Sequence, residues 1–256
     1  MSEIYDIAIV GAGPSGSTTA YYLAKQGFNV LLLDKFNFPR DKTCGDGLTP
    51  RALHILDDMG LLDIVHQVGY RSHKLELISP KGDVASSLLL KKENMCDYLL
   101  VVPRIILDNI ILERTVTSGA HFQAPVRVMG IEQENNSMLV KCEQGAKTII
   151  YRARMVIHAT GANTKLLLTT GLLKKMPQMV LAVRTYYDGI TVPLMQVNVV
   201  LTTFPFQAMA GYFQYLLHPS MLELPCFVLV WHPGGCQRLR IALLTPSFKA
   251  HPFKDC

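Results

Sequence analysis

Ile4-Tyr5-Asp6-Ile7-Ala8-Ile9-Val10-Gly11-Ala12-Gly13-Pro14-Ser15-Gly16, followed one helix later by Val30-Leu31-Leu32-Leu33-Asp34, decides how the chain begins. Ile4 to Val10 is a short apolar run suited to a strand covered on both faces, and it enters three glycines spaced G-x-G-x-x-G. Gly11 suits the tight turn out of the strand. Gly13 leaves room for the backbone to approach a pyrophosphate, and Gly16 lets the next helix pack closely on the strand. The start of that helix presents free N–H groups and a positive dipole end that favour phosphate, and Pro14 and Ser15 are candidate cofactor-binding positions with the three glycines. The helix ends near Gly27, Phe28 to Leu33 supplies a second parallel strand, and Asp34 at its tip can accept the hydroxyls of an adenosine ribose. The unit reads as a βαβ dinucleotide-binding fold, although the motif does not say which dinucleotide.

Composition sets the outer limits. The 256 residues suffice for one large domain or two small ones, and 49% hydrophobic with 18% charged residues is ordinary for a chain with a sizeable core. Mean hydropathy is +0.22. No apolar window is long enough to span a membrane and the N-terminus lacks a signal-peptide pattern, so the expectation is a cytoplasmic protein, with peripheral membrane contact left open. A net charge of +5, scattered along the chain, argues against nucleic acid as a partner. The six cysteines form no C-x-x-C pair and no metal-ligand spacing, so reduced thiols and no metal site are expected.

The segment after Asp34 is rich in Gly, Pro and charge and reads as a loop, up to Pro50 in the first turn of a helix running to about Met59. It leaves the carboxyl end of a parallel strand, the edge where such sheets bind ligands. Within it, Pro39-Arg40-Asp41-Lys42-Thr43-Cys44-Gly45-Asp46-Gly47-Leu48-Thr49-Pro50-Arg51 closely resembles the second motif of the geranylgeranyl reductase family of FAD-dependent oxidoreductases, relatives of the para-hydroxybenzoate hydroxylase type. The resemblance implies that the dinucleotide is FAD and that Lys35, Arg40 and Lys42 approach it. It also implies that Cys44 and Gly45 sit near the isoalloxazine ring and substrate as the catalytic positions. Arg104, in an R-x-x-x-D setting with Asp108 before a helix, matches a family arginine that reaches the FAD.

Further along, Lys74 to Leu90 reads as a hairpin with a glycine turn, and Val126 to Ile131, Met138 to Cys142 and Lys147 to Ala153 as strands joined by Asn135-Asn136-Ser137 and Gln144-Gly145. Arg154 to His158 reads as another buried strand, ending in the Ala159-Thr160-Gly161 turn. The resemblance implies that this turn and Val126 touch the cofactor. Thr160 departs from relatives that carry aspartate there, which leaves any role of that acid in coupling to reduced nicotinamide without support. His158 reads as a satisfied core histidine. Val180 to Gly189 resembles the first strand of the family's catalytic sheet.

The expected fold class is α/β: a Rossmann-like FAD-binding domain (1–72 and 95–165) with an antiparallel-sheet substrate domain (73–94 and 166–190), and a C-terminal part missing. The resemblance implies reduction of carbon–carbon double bonds in an isoprenoid chain, with hydride from reduced flavin, NAD(P)H or another reductant as donor, and Cys44 as a candidate proton source. Two alternatives are an aromatic monooxygenase and an inactive flavoprotein fragment. Residues 191–256 form an atypical tail: six of these 66 residues are charged, and they hold seven of the 14 prolines. The family's Pro-Gly-Tyr-Gly-Trp-Val-Phe-Pro motif is absent, yet a shifted reading of permitted codons for Phe206 to Gln214 yields it. The tail is therefore expected to be out of frame, to pack poorly and to carry no site residue.

Overall fold

The computed structural model describes residues 4–78, 83–88, 96–177, 181–187, 196–203, 209–215 and 224–230. The first βαβ unit consists of β1 (Ile4–Val10), α1 (Pro14–Lys25) and β2 (Val30–Leu33). The strands run parallel in a register of Ile7 with Val30 and Val10 with Leu33. All four residues of β2 are buried, as expected of a strand covered on both faces. On α1, Gly16, Ser17, Ala20 and Tyr21 form the buried stripe, and the small residues let the helix lie close to the sheet.

The loop that follows contains β3 (Gly47–Leu48) and leads to α2 (Pro50–Asp58), whose Thr49 cap accepts the N–H of Ala52. Then come α3 (Leu62–Val68), β4 (Tyr70–Ser72), β5 (Lys74–Ile78), β6 (Val84–Leu88), β7 (Leu99–Val101) and α4 (Arg104–Thr117). β8 (His121–Gln123), β9 (Arg127–Glu134), β10 (Ser137–Gln144), β11 (Lys147–His158) and α5 (Lys165–Thr169) complete this half. The last strands are β12 (Leu181–Tyr187), β13 (Gln196–Thr203), β14 (Met209–Tyr215) and β15 (Leu224–Val230).

The first sheet has the order β8-β2-β1-β11-β10-β9. Its first four strands are parallel, and β10 and β9 run antiparallel to their neighbours. One face packs Ile7, Ile9, Val30 and Leu32 with Ala20 of α1 and Leu112 of α4, while the other packs Tyr5, Ala8, Leu31 and Leu33 with Val126 and Val140. A third cluster joins Leu53, Leu56, Val65, Leu100 and Ile111 under α2, α3 and α4.

Several expectations need correcting. Lys147 to Ala153 and Arg154 to His158 are not two strands but the single β11, because nothing between them breaks an extended backbone. Its first half pairs antiparallel with β10 up to Met138 and Ala153, and its second half pairs parallel with β1 from Ile4 and Arg152 to Val10 and His158. Nor is that second half buried: Met155 is 57% exposed. The short strands β3, β4, β7 and β8 and the helices α3 and α5 had no sequence expectation, since two- to seven-residue elements carry too few periods to stand out.

The second sheet, β12-β15-β14-β13-β5-β6, is antiparallel except that β5 and β13 run parallel. Hairpins dictate antiparallel neighbours, whereas two strands this far apart in the chain are free of that constraint. β5 and β6 pair antiparallel as the expected hairpin requires, and the expected glycine turn at 81–82 lies outside the described residues. The tail expected to be out of frame supplies β13, β14 and β15 to this sheet. Its packing, both ends of the Val180 to Gly189 segment, the stretches 191–195, 204–208 and 216–223, and 231–256 lie outside the described residues.

Candidate functional site

The carboxyl ends of β1, β2 and β11 meet at one edge of the first sheet. Leu33 accepts the N–H of Gly11 at 2.7 Å and Val10 accepts that of Ala159 at 2.8 Å, so the turn after β1 is locked to both neighbours. Gly11 has φ +106°, and a Cβ there would stand 2.4 Å from the carbonyl oxygen of Ala159. A Cβ on Gly16 would stand 1.8 Å from the carbonyl oxygen of Gly11, so the helix can reach the turn only without a side chain. Gly13 differs, since a Cβ would meet nothing closer than Nη2 of Arg40 at 3.6 Å. Its lack of a side chain is therefore not demanded by the protein and leaves space for something else.

That space belongs to a cavity of about 380 Å³. The expected residues Gly11, Gly13, Asp34, Lys35, Arg40, Lys42, Val126, Ala159 and Thr160 line it. Asp34 is nearly buried and is fixed by two backbone donors, the N–H of Ala12 at 2.8 Å to Oδ2 and that of Phe36 at 3.0 Å to Oδ1. Arg40 stacks on Phe38 at 4.6 Å, pairs with Asp34 at 3.8 Å, and has a buried Nε with no hydrogen-bond partner. Lys42 places Nζ 2.8 Å from where a Cβ of Gly161 would stand, and Gly161 itself has φ +62°. Lys35, Arg40, Lys42, Arg127 and Lys165 outnumber Asp34 and Asp41 around the cavity.

Other expected residues stand outside the cavity lining. Pro14 and Ser15 form the first turn of α1, Gly16 lies in the helix contact, and Gly161 lies beneath Lys42. Cys44 is exposed, and neither it nor Gly45 lines the cavity. Arg104 also lies behind the wall. Burial disfavours its charge, yet hydrogen bonds and charge from Asp108, with a contribution from Cys44, hold its pKa above the ordinary value. Its Nε meets Asp108 Oδ1 at 2.7 Å and its Nη2 meets Oδ2 at 2.9 Å.

His158, expected to be a satisfied core histidine, is half-buried with a buried Nδ1 that has no partner, and burial lowers its pKa. Sequence reading also missed Phe36, Arg127, Met129, Asn163, Lys165 and Thr169 in the cavity wall. Phe36 comes from the loop after β2 and the others from β9, α5 and the turn before α5, and a surface-like Arg or Lys on such elements carries no local signal of what it faces.

The cradle fits a dinucleotide: an open approach at Gly13, a carboxylate where β2 ends, cations along the loop and an unpaired arginine nitrogen. Residues 4–185 match the family described as an FAD binding domain. The chain belongs to that family, and FAD is its cofactor. It is 34% identical over 172 residues to Conditioned medium factor receptor 1 of Dictyostelium discoideum, covering 62% of this chain and 34% of that protein. It is 31% identical over 171 residues to Digeranylgeranylglycerophospholipid reductase 1 of Methanococcoides burtonii, covering 64% and 40%. The chain thus spans well under half the length of these curated relatives.

A solved geranylgeranyl bacteriochlorophyll reductase-like protein of Thermoplasma acidophilum shares the fold with a TM-score of 0.73 at 19% identity, over 90% of this chain and 57% of that one. Menaquinone reductases, a chlorinase and a monooxygenase fall among the relatives as well, so the class of the family is FAD-dependent oxidoreductase without one reaction in common. Among the described residues no helix is long and apolar enough to cross a membrane.

Proposed function

We propose that this chain is the FAD-binding part of an enzyme that reduces carbon–carbon double bonds in an isoprenoid chain borne by a lipid. What supports this reading is the loop from Pro39 to Arg51, whose sequence resembles the geranylgeranyl reductase motif, together with the likeness to the archaeal lipid reductase. When bound, FAD supplies the two-electron chemistry, and the chain binds and orients it. Asp34 holds the adenosine ribose. The turn from Gly11 to Gly13 and the start of α1 at Pro14 and Ser15 receive the diphosphate, with Arg40 and Lys42 offsetting its charge. Val126, Lys35 and the turn from Ala159 to Gly161 complete the cofactor contacts.

In this reading Cys44 and Gly45 stand at the reacting end, and the Cys44 Sγ holds the proton that an alkene needs. Arg104 acts indirectly, by holding the Cys44 loop. The donor is NAD(P)H or another reductant. Segments 1–72 and 95–165 form the cofactor domain, and 73–94 and 166–190 belong to the substrate sheet. The tail from 191 on is read out of frame, which sequencing of the coding DNA decides.

The reaction is tested by incubating a full-length form, with the frame restored beyond 190, with FAD, dithionite and a geranylgeranyl lipid without oxygen, followed by mass spectrometry of the lipid. Gain of hydrogen at the double bonds is expected. Inertness without oxygen, together with oxygen incorporation into an aromatic substrate in air, would replace this reading by the monooxygenase one.

A further inference from the structure

Asp108 lies on α4 one turn beyond Arg104, and its side chain is completely shielded from solvent. A buried carboxylate persists only if it is paired and hydrogen-bonded on several sides. Asp108 meets that condition with two arginines. Arg104 donates Nε to Oδ1 at 2.7 Å and Nη2 to Oδ2 at 2.9 Å, and Arg40, 68 positions away, donates Nη1 to Oδ2 at 3.4 Å. Arg104 is used up behind the cavity wall. Arg40 lines the cavity, and its guanidinium is gripped on three sides: Nη1 toward Asp108, Nη2 toward Asp34 at 3.8 Å, and one flat face on the Phe38 ring. With 11% of its side chain exposed and Nε unpartnered, this guanidinium has one orientation and spare donor capacity.

We infer that Asp108 is a positioning residue for cofactor binding: from behind the cavity wall its carboxylate fixes the fork of Arg40, so that the guanidinium meets the diphosphate of the dinucleotide already oriented. The inference rests on the FAD reading of the cavity. Two arginines and two carboxylates leave this cluster without net charge, so its contribution comes from orientation rather than from bulk attraction. The same carboxylate ties down Arg104, whose backbone N–H donates to Asp46 Oδ1 at 3.2 Å in the loop that carries Cys44.

FAD titration of the full chain, followed by quenching of flavin fluorescence, tests this with Asp108→Asn, Arg40→Gln, the double variant and Asp108→Glu. Each of the first two is expected to weaken binding about tenfold, and the double variant to weaken it less than about threefold beyond Arg40→Gln alone, because coupled residues are not additive. Asp108→Glu should recover most of the affinity. Additive losses, or wild-type affinity in Asp108→Asn, would overturn the inference. Should Asp108→Asn not fold, Arg40→Lys decides, since one ammonium cannot span both carboxylates: about tenfold weaker binding supports the inference, and unchanged binding refutes it. A wild-type chain that takes up no FAD fails the cofactor reading itself and this inference with it, whereas normal uptake with additive variants fails this inference alone.

Discussion

The Oδ2 oxygen of Asp34 accepts the backbone N–H of Ala12 at 2.8 Å, tying the end of β2 to the glycine turn that leaves β1. Asp34 thus braces the cradle as well as facing the cavity. Asp34→Ala would leave the fully buried Ala12 N–H without its partner, costing about 1–3 kcal/mol of stability even before any cofactor is added. Urea unfolding of the apoprotein should show that loss, with weaker FAD uptake measured separately. An unchanged apoprotein would restrict Asp34 to the ligand.

Gly13 and Gly16 should separate binding from folding. Gly13→Val adds a side chain where only Arg40 lies near, so the apoprotein should melt as the wild type does while FAD binding disappears. Gly16→Ala drives a Cβ into the carbonyl oxygen of Gly11, an overpacking that costs about 1–3 kcal/mol. Thermal melts of both apoproteins and their FAD stoichiometry provide the check, and stoichiometric FAD in Gly13→Val would remove the pyrophosphate from this turn.

Arg104→Ala should behave as a folding variant. It deprives buried Asp108 of two hydrogen bonds, and breaking a buried pair from one side costs about 3–5 kcal/mol. Denaturant midpoints test this, and a small shift would mean that Asp108 finds other partners. Cys44→Ser, at an exposed position, should keep both stability and FAD while lowering reductase turnover. Equal turnover would leave the thiol without a chemical role.

Acid should destabilise the protein through two histidines. Burial lowers the pKa of His158 from 6.5, and burial followed by the charge of Arg71 lowers that of His66. Folded values below the unfolded ones mean that the unfolded chain takes up protons more readily. Their contribution is therefore intact above about pH 6.5 and is lost as the pH falls below it. Melting temperatures between about pH 8 and pH 5 should drop less steeply for His158→Gln than for wild type. Parallel profiles would show that the buried Nδ1 contributes nothing to this dependence.

The βαβ unit was legible from residues alone because its signals are local. An apolar run, three spaced glycines and an acid after β2 each constrain the backbone within a few residues. The loop from Pro39 to Arg51 was legible only through its resemblance to a known family, whereas the helix at Arg104 was legible from the spacing of Leu107, Ile111 and Leu112. Three things only the tertiary structure decided. β11 serves two ladders at once, since pairing depends on which strands lie beside it rather than on its own composition. The cavity wall borrows Arg127 and Met129 from β9 and Lys165 from α5, residues that read as surface until the sheet brings them round. And Arg40 meets Asp108 across 68 positions, so the partner of a charge, unlike the period of a strand, is set by which distant segments share a desolvated interior.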